Sequence, residues 1–256
     1  MRKNRIFWCC YILVLTIFLI SAAALAIRSL ELQHGSDFYE QIEEPLAAPA
    51  PPAASAVRPA VPEDREYAPA PPQPHELSQR LSHFAAGYPA AALWLQLPDT
   101  TLDYPVMLGT DNQFYLNHLP DGNQNALGSL FLDCRTAEDS VHLIVYGHNG
   151  SGGKMFGLLK QYESQDYYSA HKTLTVATSN AVYICPVFSV RRVEADSGAY
   201  QLEFEDRGSL TNYIHQAAAE SLYQTGAELE DAAGVLTLST CTGWPNQRLI
   251  VQAVIL

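Results

Sequence analysis

Three patterns of apolar and polar positions follow one another along the chain. Ile6 to Ile27 runs for 22 residues without a charged side chain, long enough as a helix to cross a hydrocarbon core ~30 Å thick. From Glu43 to His75 large apolar residues nearly vanish, and 10 of the 16 prolines fall between Pro45 and Pro74. Such a stretch cannot bury enough surface to fold, and its polyproline geometry of about 3.1 Å per residue gives a reach of roughly 90 Å. From Glu76 onward the pattern becomes short runs rich in β-branched and aromatic residues, bounded by Gly, Pro, Asn or Asp: Ala91–Leu97, Leu102–Met107, Ser129–Asp133, Val141–Gly147, Thr173–Thr178, Val182–Arg192, Gly234–Thr240 and Arg248–Ile255. Eight such runs predict a barrel or a sandwich. Helical spacing occurs at Glu76–Ala86 and again through Leu210, Tyr213, Ile214, Ala217 and Leu222, behind capping candidates Asp206 and Ser209. The organisation expected is an N-terminus (1–5), a transmembrane helix (6–27), a Pro/Ala-rich linker (28–75) and a mostly β domain (76–256). That domain opens with a helix and carries another between its sixth and seventh strands.

Charge sets orientation and excludes one class of partner. Arg2, Lys3 and Arg5 precede the apolar run and only Arg28 follows it closely, so the N-terminus is expected in the cytoplasm and everything after Arg28 outside, in a single-pass membrane protein. A cleaved leader is the alternative, with Ser21-Ala22-Ala23-Ala24 as its exit, but leaders have shorter apolar runs. With 15 Lys+Arg against 27 Asp+Glu, net −12, the field of the protein would repel a polyanion, which argues against nucleic-acid binding. The 5 cysteines form no CxxC pair or zinc-ligand spacing. Cys9 and Cys10 read as small apolar residues of the span, and Glu203-Phe204-Glu205-Asp206 as a solvated edge and helix cap, so no metal site is expected.

The chemistry is best sought at strand ends, where side chains are held by the sheet yet reach solvent. In Val141–Gly150 an apolar strand runs into a Gly-rich turn, with Tyr146 and His148 on one face and His148 at the exit. In Gly234–Cys241, Leu236 and Leu238 share a core-like face, while Thr237, Ser239 and Cys241 share the other. Arg248 opens the last strand after a short loop, which returns it close to Cys241. A cation beside a thiol favours the thiolate and can stabilise the oxyanion of acyl transfer. The same Cys241 can instead cap a core as an inert small hydrophobe, and Cys134 and Cys185 read that way, with a Cys134–Cys185 disulfide left open. His118 and His142 are rival bases; one follows a short helical Phe114–Asn117 segment and the other lies mid-strand.

Read together, Tyr146-Gly147-His148-Asn149, Met155-Phe156-Gly157-Leu158-Leu159 and Thr237-Leu238-Ser239-Thr240-Cys241, followed by Arg248 in a terminal strand, closely resemble the sortases, specifically class B. Leu102-Asp103-Tyr104-Pro105-Val106, Tyr115-Leu116-Asn117-His118 and Gly128–Asp133 match in the family's order, and the likeness spans about Glu76 to Leu256. The resemblance implies an eight-stranded sortase-type barrel and a membrane-anchored cysteine transpeptidase that uses no cofactor. On that pattern Cys241 attacks the Thr carbonyl of a sorting signal in a secreted protein, His148 shuttles the proton, and Arg248 holds the oxyanion. An amine of a peptidoglycan precursor or cross-bridge then resolves the thioester. Ser239, Tyr146, Asn112 and Leu116 would line the substrate groove. The loop from Cys241 to Arg248 is shorter than is common in class B, which bears on substrate preference more than on the reaction. A pilin-polymerising sortase and a non-catalytic wall-binding domain are the alternatives. Papain-like peptidases, with Cys before His, and L,D-transpeptidases, with the two close together, fit the order and separation of His148 and Cys241 poorly.

Overall fold

The structure, a computed structural model, describes residues 2–43 and 74–256. Among these, helix α1 spans Arg2–Glu43 and α2 Pro74–Gly87, followed by strands β1 (Ala91–Gln96), β2 (Asp103–Leu108), β3 (Leu130–Leu132) and β4 (His142–Tyr146). Helix α3 (Gln165–Ala170), β5 (Thr173–Ala177), β6 (Val182–Glu194), α4 (Arg207–Ala219), β7 (Gly234–Cys241) and β8 (Gln247–Ile255) complete the fold. The strands close into a barrel in the order β1-β2-β3-β4-β7-β8-β6-β5. Two pairings, β2 with β3 and β4 with β7, are parallel, and the rest are antiparallel.

Period-2 alternation decides which residues fill the barrel. Leu93, Leu95, Val106, Leu130, Leu143, Val145, Leu236, Leu238 and Val251 point inward and form one core. The outer face needs separate cover, and two helices supply it. Leu77, Leu81 and Phe84 of α2 pack on Trp94 and Ala177, over β1 and β5. Leu210, Ile214 and Ala217 of α4 pack on Phe188, Val235 and Val254, over β6, β7 and β8. Helix α4 starts where the capping signal predicts. The Asp206 side chain accepts from the Ser209 N–H at 2.7 Å while the Ser209 hydroxyl receives the Asp206 N–H, a reciprocal pair that satisfies donors at the helix start.

The eight strands match the sequence reading to within one or two residues at their ends. Helix α4 stops at Ala219, short of the expected Leu222, because the Ser221 hydroxyl accepts from the Val190 N–H and ties the chain to β6. The turns and short helices between 151 and 170 have no counterpart in the expectation. The larger difference is at the N-terminal side. Residues 28–43, expected within the linker, continue α1, and Leu32, Gly35, Ser36, Tyr39 and Ile42 recur at helical spacing on a face that meets the barrel. No proline occurs before Pro45 to stop the helix. The Pro/Ala-rich stretch 44–73 lies outside the described residues.

Candidate active site

The cover supplied by α4 and its approach segment runs out along one face of β7, and the site forms where it ends. Val235 and Thr237 on that face are fully buried, Ser239 is buried, and Cys241 is exposed. Cys241 pairs directly with Arg248 of β8 across the antiparallel ladder, a relation that sets Cβ atoms about 4.5–5.5 Å apart on the same face. The parallel register Tyr146↔Ser239, carried on by two residues, brings His148 level with Cys241. Three bonds hold that extension. The Gly147 N–H donates to the Ser239 carbonyl at 3.2 Å, Thr240 Oγ1 donates to the Gly147 carbonyl at 2.9 Å, and Asn149 Nδ2 donates to the Cys241 carbonyl at 3.1 Å.

The turn that delivers His148 requires glycine. A Cβ on Gly147 would come within 2.3 Å of Leu130 and 2.8 Å of Phe156, two buried side chains with no room to yield. His148 is half-buried, and its Nε2–H donates to the Leu116 carbonyl at 2.5 Å. A carbonyl can only accept, so in the neutral ring Nε2 carries the proton and Nδ1 the free lone pair. Arg248 is half-buried and spends one N–H on the Gln247 carbonyl at 3.1 Å, one of its five donors.

The groove candidates Ser239, Tyr146 and Leu116 lie around this rim with distinct attachments, and Asn112 lies behind it. Ser239 is engaged by the Tyr200 hydroxyl at 2.9 Å, and the Tyr200 ring stacks on Tyr146 with centroids 6.2 Å apart. Tyr146 donates to Asp133 at 3.0 Å. Asp133 is fully buried and receives both the side chain and the backbone N–H of Arg135. Burial alone would raise the Asp133 carboxyl, but Arg135, the Tyr146 hydroxyl and the Asn112 amide outweigh it and hold the group down at about 2. Burial, and next the charge on Asp133, push the Tyr146 phenol above its ordinary range. Asn112 accepts the Cys134 N–H at 2.7 Å and belongs to this network behind the rim. Leu116 is exposed beside Phe114, and Trp244 stands 70 % exposed in the Cys241–Arg248 loop.

The rival residues are otherwise employed. His142 is fully buried, with Nδ1 at 2.6 Å from the Gln201 carbonyl and Nε2 at 2.7 Å from Thr237 Oγ1. Burial drives its pKa down to about 4, against partial support from Gln201. His118 Nδ1 bonds the Phe114 carbonyl at 2.7 Å and its ring stacks on Phe114 at 4.0 Å. Cys134 and Cys185 are both free thiols, and burial pushes Cys185 up to about 12. Sequence reasoning did not identify Tyr200, the Asp133–Arg135 pair or the Leu116 carbonyl. Tyr200 ends a single 3-10 turn, Gly198–Tyr200, between β6 and α4, too short to show a period, and a main-chain acceptor leaves no residue-type signal. Among the described residues, no group of three His, Cys, Asp or Glu could hold a metal ion.

Comparison with known proteins agrees with this architecture. A family model described as Sortase domain matches residues 95–256. Sortase B of Listeria monocytogenes is 29% identical over 164 residues, covering 62% of this chain and 67% of that protein. Sortase B of Staphylococcus aureus is 27% identical over 168 residues, covering 64% and 69% respectively. The crystal structure of Clostridium perfringens sortase B superposes with a TM-score of 0.63 at 25% identity, over 68% of this chain and 98% of that one. A Bacillus anthracis structure described as similar to sortase B gives a TM-score of 0.63 at 28% identity, over 69% and 82%. The matched region contains the whole rim from Asn112 to Arg248, and on this ground the chain belongs to the sortase family of cysteine transpeptidases, in class B.

Proposed function

We propose that Cys241, His148 and Arg248 form the catalytic centre of a transpeptidase that cleaves a sorting signal of secreted proteins after Thr and joins the new end to a peptidoglycan amine. The observation that carries the reading is the convergence of the three on one open rim. Cys241 faces Arg248 directly across β7 and β8, His148 stands level with both at the end of β4, and Cys241 alone of its strand face is exposed.

The steps follow from the donors available. The Cys241 thiolate attacks the Thr carbonyl carbon, forming a C–S bond while the electron pair of the C=O moves onto oxygen. Arg248 N–H groups stabilise that oxyanion. His148 then gives the Nδ1 proton to the amide nitrogen, the C–N bond breaks, and an acyl thioester remains on Cys241. The amine attacks the thioester, His148 takes a proton from it, and collapse expels the thiolate and leaves a new amide. Leu116 fixes the imidazole by holding Nε2–H, so that the exchangeable proton resides on Nδ1. Ser239, Tyr146, Asn112 and Leu116 would line or support the groove, with Tyr200 beside Ser239.

One helix among the described residues, within Tyr11–Ile42 at a mean hydropathy of 2.3, is long and apolar enough to cross a membrane. We read residues 6–27 as a single-pass anchor with Arg2, Lys3 and Arg5 on the cytoplasmic side and the barrel outside. The test is amide exchange by the full chain in detergent, with a panel of sorting-signal peptides and an amine acceptor. Peptide cleavage and amine incorporation are expected with wild type and absent in Cys241→Ala. Equal turnover in Cys241→Ala would remove the mechanism.

A further inference from the structure

We propose that the second half of α1, residues 31–42, is a positioning element for the imidazole of His148, so that the helix leaving the apolar span completes the active site of the barrel. This rests on the reading of His148 as the acid and base of the reaction. The helix meets the barrel through a contiguous face. Tyr39 is buried in the barrel core, with its ring edge-on to Tyr104 at 5.2 Å, and Leu32, Phe38 and Ile42 pack against the same core. Gly35 lies so close to Asn125 that a Cβ would come within 2.7 Å of Asn125 Oδ1. Asn125 cannot easily retreat. It is buried, its Nδ2 donates to the Glu31 carbonyl at 2.6 Å, and its Oδ1 accepts the Leu127 N–H at 2.9 Å.

These contacts lead to His148 by two short routes. On one side, the Tyr39 hydroxyl reaches the Gly128 carbonyl and Ser129 Oγ, each at 3.2 Å. Ser129 in turn donates its N–H to the Tyr115 carbonyl at 2.9 Å and its Oγ–H to the His118 carbonyl at 2.8 Å, bracketing Leu116. Gly128, at φ +63°, presses so closely on the Leu116 carbonyl that a Cβ there would approach to 2.6 Å. That carbonyl is the acceptor that holds His148 Nε2–H. On the other side, Lys154 Nζ donates to Ser36 Oγ, from the loop that returns to His148 through the Phe156 N–H on the His148 carbonyl at 2.9 Å. The helix therefore clamps both the loop that orients the ring and the loop that carries its backbone. It also sets the height of the barrel. Tyr39 stands about 18 Å beyond Ile27 along a continuous helix at ~1.5 Å per residue, so the linker is not what separates the barrel from the bilayer.

The test uses the full chain in detergent, with Gly35→Leu to wedge the helix off Asn125, Tyr39→Ala to remove the anchor and Tyr39→Phe to keep the ring. Gly35 and Tyr39 are both buried between the helix and the barrel. Gly35→Leu and Tyr39→Ala are expected to lower kcat for amide exchange by about tenfold, the scale of a modest misplacement of a catalytic group. KM should stay within about twofold, the pH profile of kcat should shift, and the thermal transition of the barrel should persist. Tyr39→Phe, which removes only the hydroxyl bonds to Gly128 and Ser129, should lower kcat in the same direction but by less, a few-fold. Unchanged kcat and pH profile in both Gly35→Leu and Tyr39→Ala would overturn the proposal, as would losses that track only the unfolded fraction or KM. His148→Ala serves as the separating control, since full activity there would sink the acid–base reading itself rather than the role of the helix.

Discussion

His142 and His148 lie on the same face of the same strand and its exit, six residues apart, yet the first is sealed from solvent and the second is half-open. The inner position is roofed by Phe204 and Tyr213, with ring centroids 6.3 and 5.5 Å from His142, and both of its ring nitrogens are engaged. The outer position is half-open, with Nε2 tied to Leu116 and an exposed thiol on the neighbouring strand. Residue type is the same and backbone placement is equivalent. What distinguishes the buried histidine from the proposed acid–base residue is how far the cover from α4 and its approach segment extends along β4 and β7.

The sharpest way to break that comparison is to remove each imidazole in turn. His148→Ala is expected to reduce amide exchange to background while the fold survives, whereas His142→Gln should leave turnover per folded molecule within a few-fold of wild type; comparable losses in both would erase the distinction. Next in size is Arg248→Ala, expected to lower kcat by roughly 10²–10³, the scale for losing an oxyanion donor, with the thiol still reactive. An unaltered kcat would assign Arg248 to structure alone.

The buried histidine makes a prediction on stability. Its folded pKa is depressed to about 4, below the ordinary ~6.5, so between these values the unfolded chain binds a proton that the folded chain does not. Stability then rises with pH across that window and is lost as pH falls from about 6.5 to about 4, by up to ~3 kcal/mol. Denaturant titrations across this range should show the slope in wild type and a flatter one in His142→Gln; the same slope in both would place the proton elsewhere. The smallest effect concerns the thiols. Peptide mapping after brief alkylation should find Cys241 modified before half-buried Cys134, and Cys185, pushed up to about 12 by burial, modified only on unfolding. Modification of Cys185 ahead of Cys241 would contradict the exposure gradient along the sheet.

Much of the barrel was legible because its strands alternate strictly. Leu236 and Leu238 against Thr237, Ser239 and Cys241 encode both the core and the rim in a single run. The three catalytic candidates were legible for the same reason, since strand ends are marked by Gly147 and by the Gly243-Trp244-Pro245 break. Continuation of α1 was not, because its barrel-facing stripe includes Gly35 and Ser36, small residues whose role is close approach rather than hydrophobic weight. Tyr200, Arg135 and the Leu116 carbonyl escaped because their positions depend on short turns and main-chain atoms, to which neither periodicity nor residue type responds.

The central claim is tested most directly by trapping the intermediate. The full chain incubated with a sorting-signal peptide and no amine, quenched in acid and mapped by mass spectrometry, should carry the peptide fragment up to Thr as a thioester on Cys241. The adduct should vanish when an amine is added before the quench. An adduct on Cys134 or another residue, or turnover with no adduct on Cys241 at any time, would contradict the account.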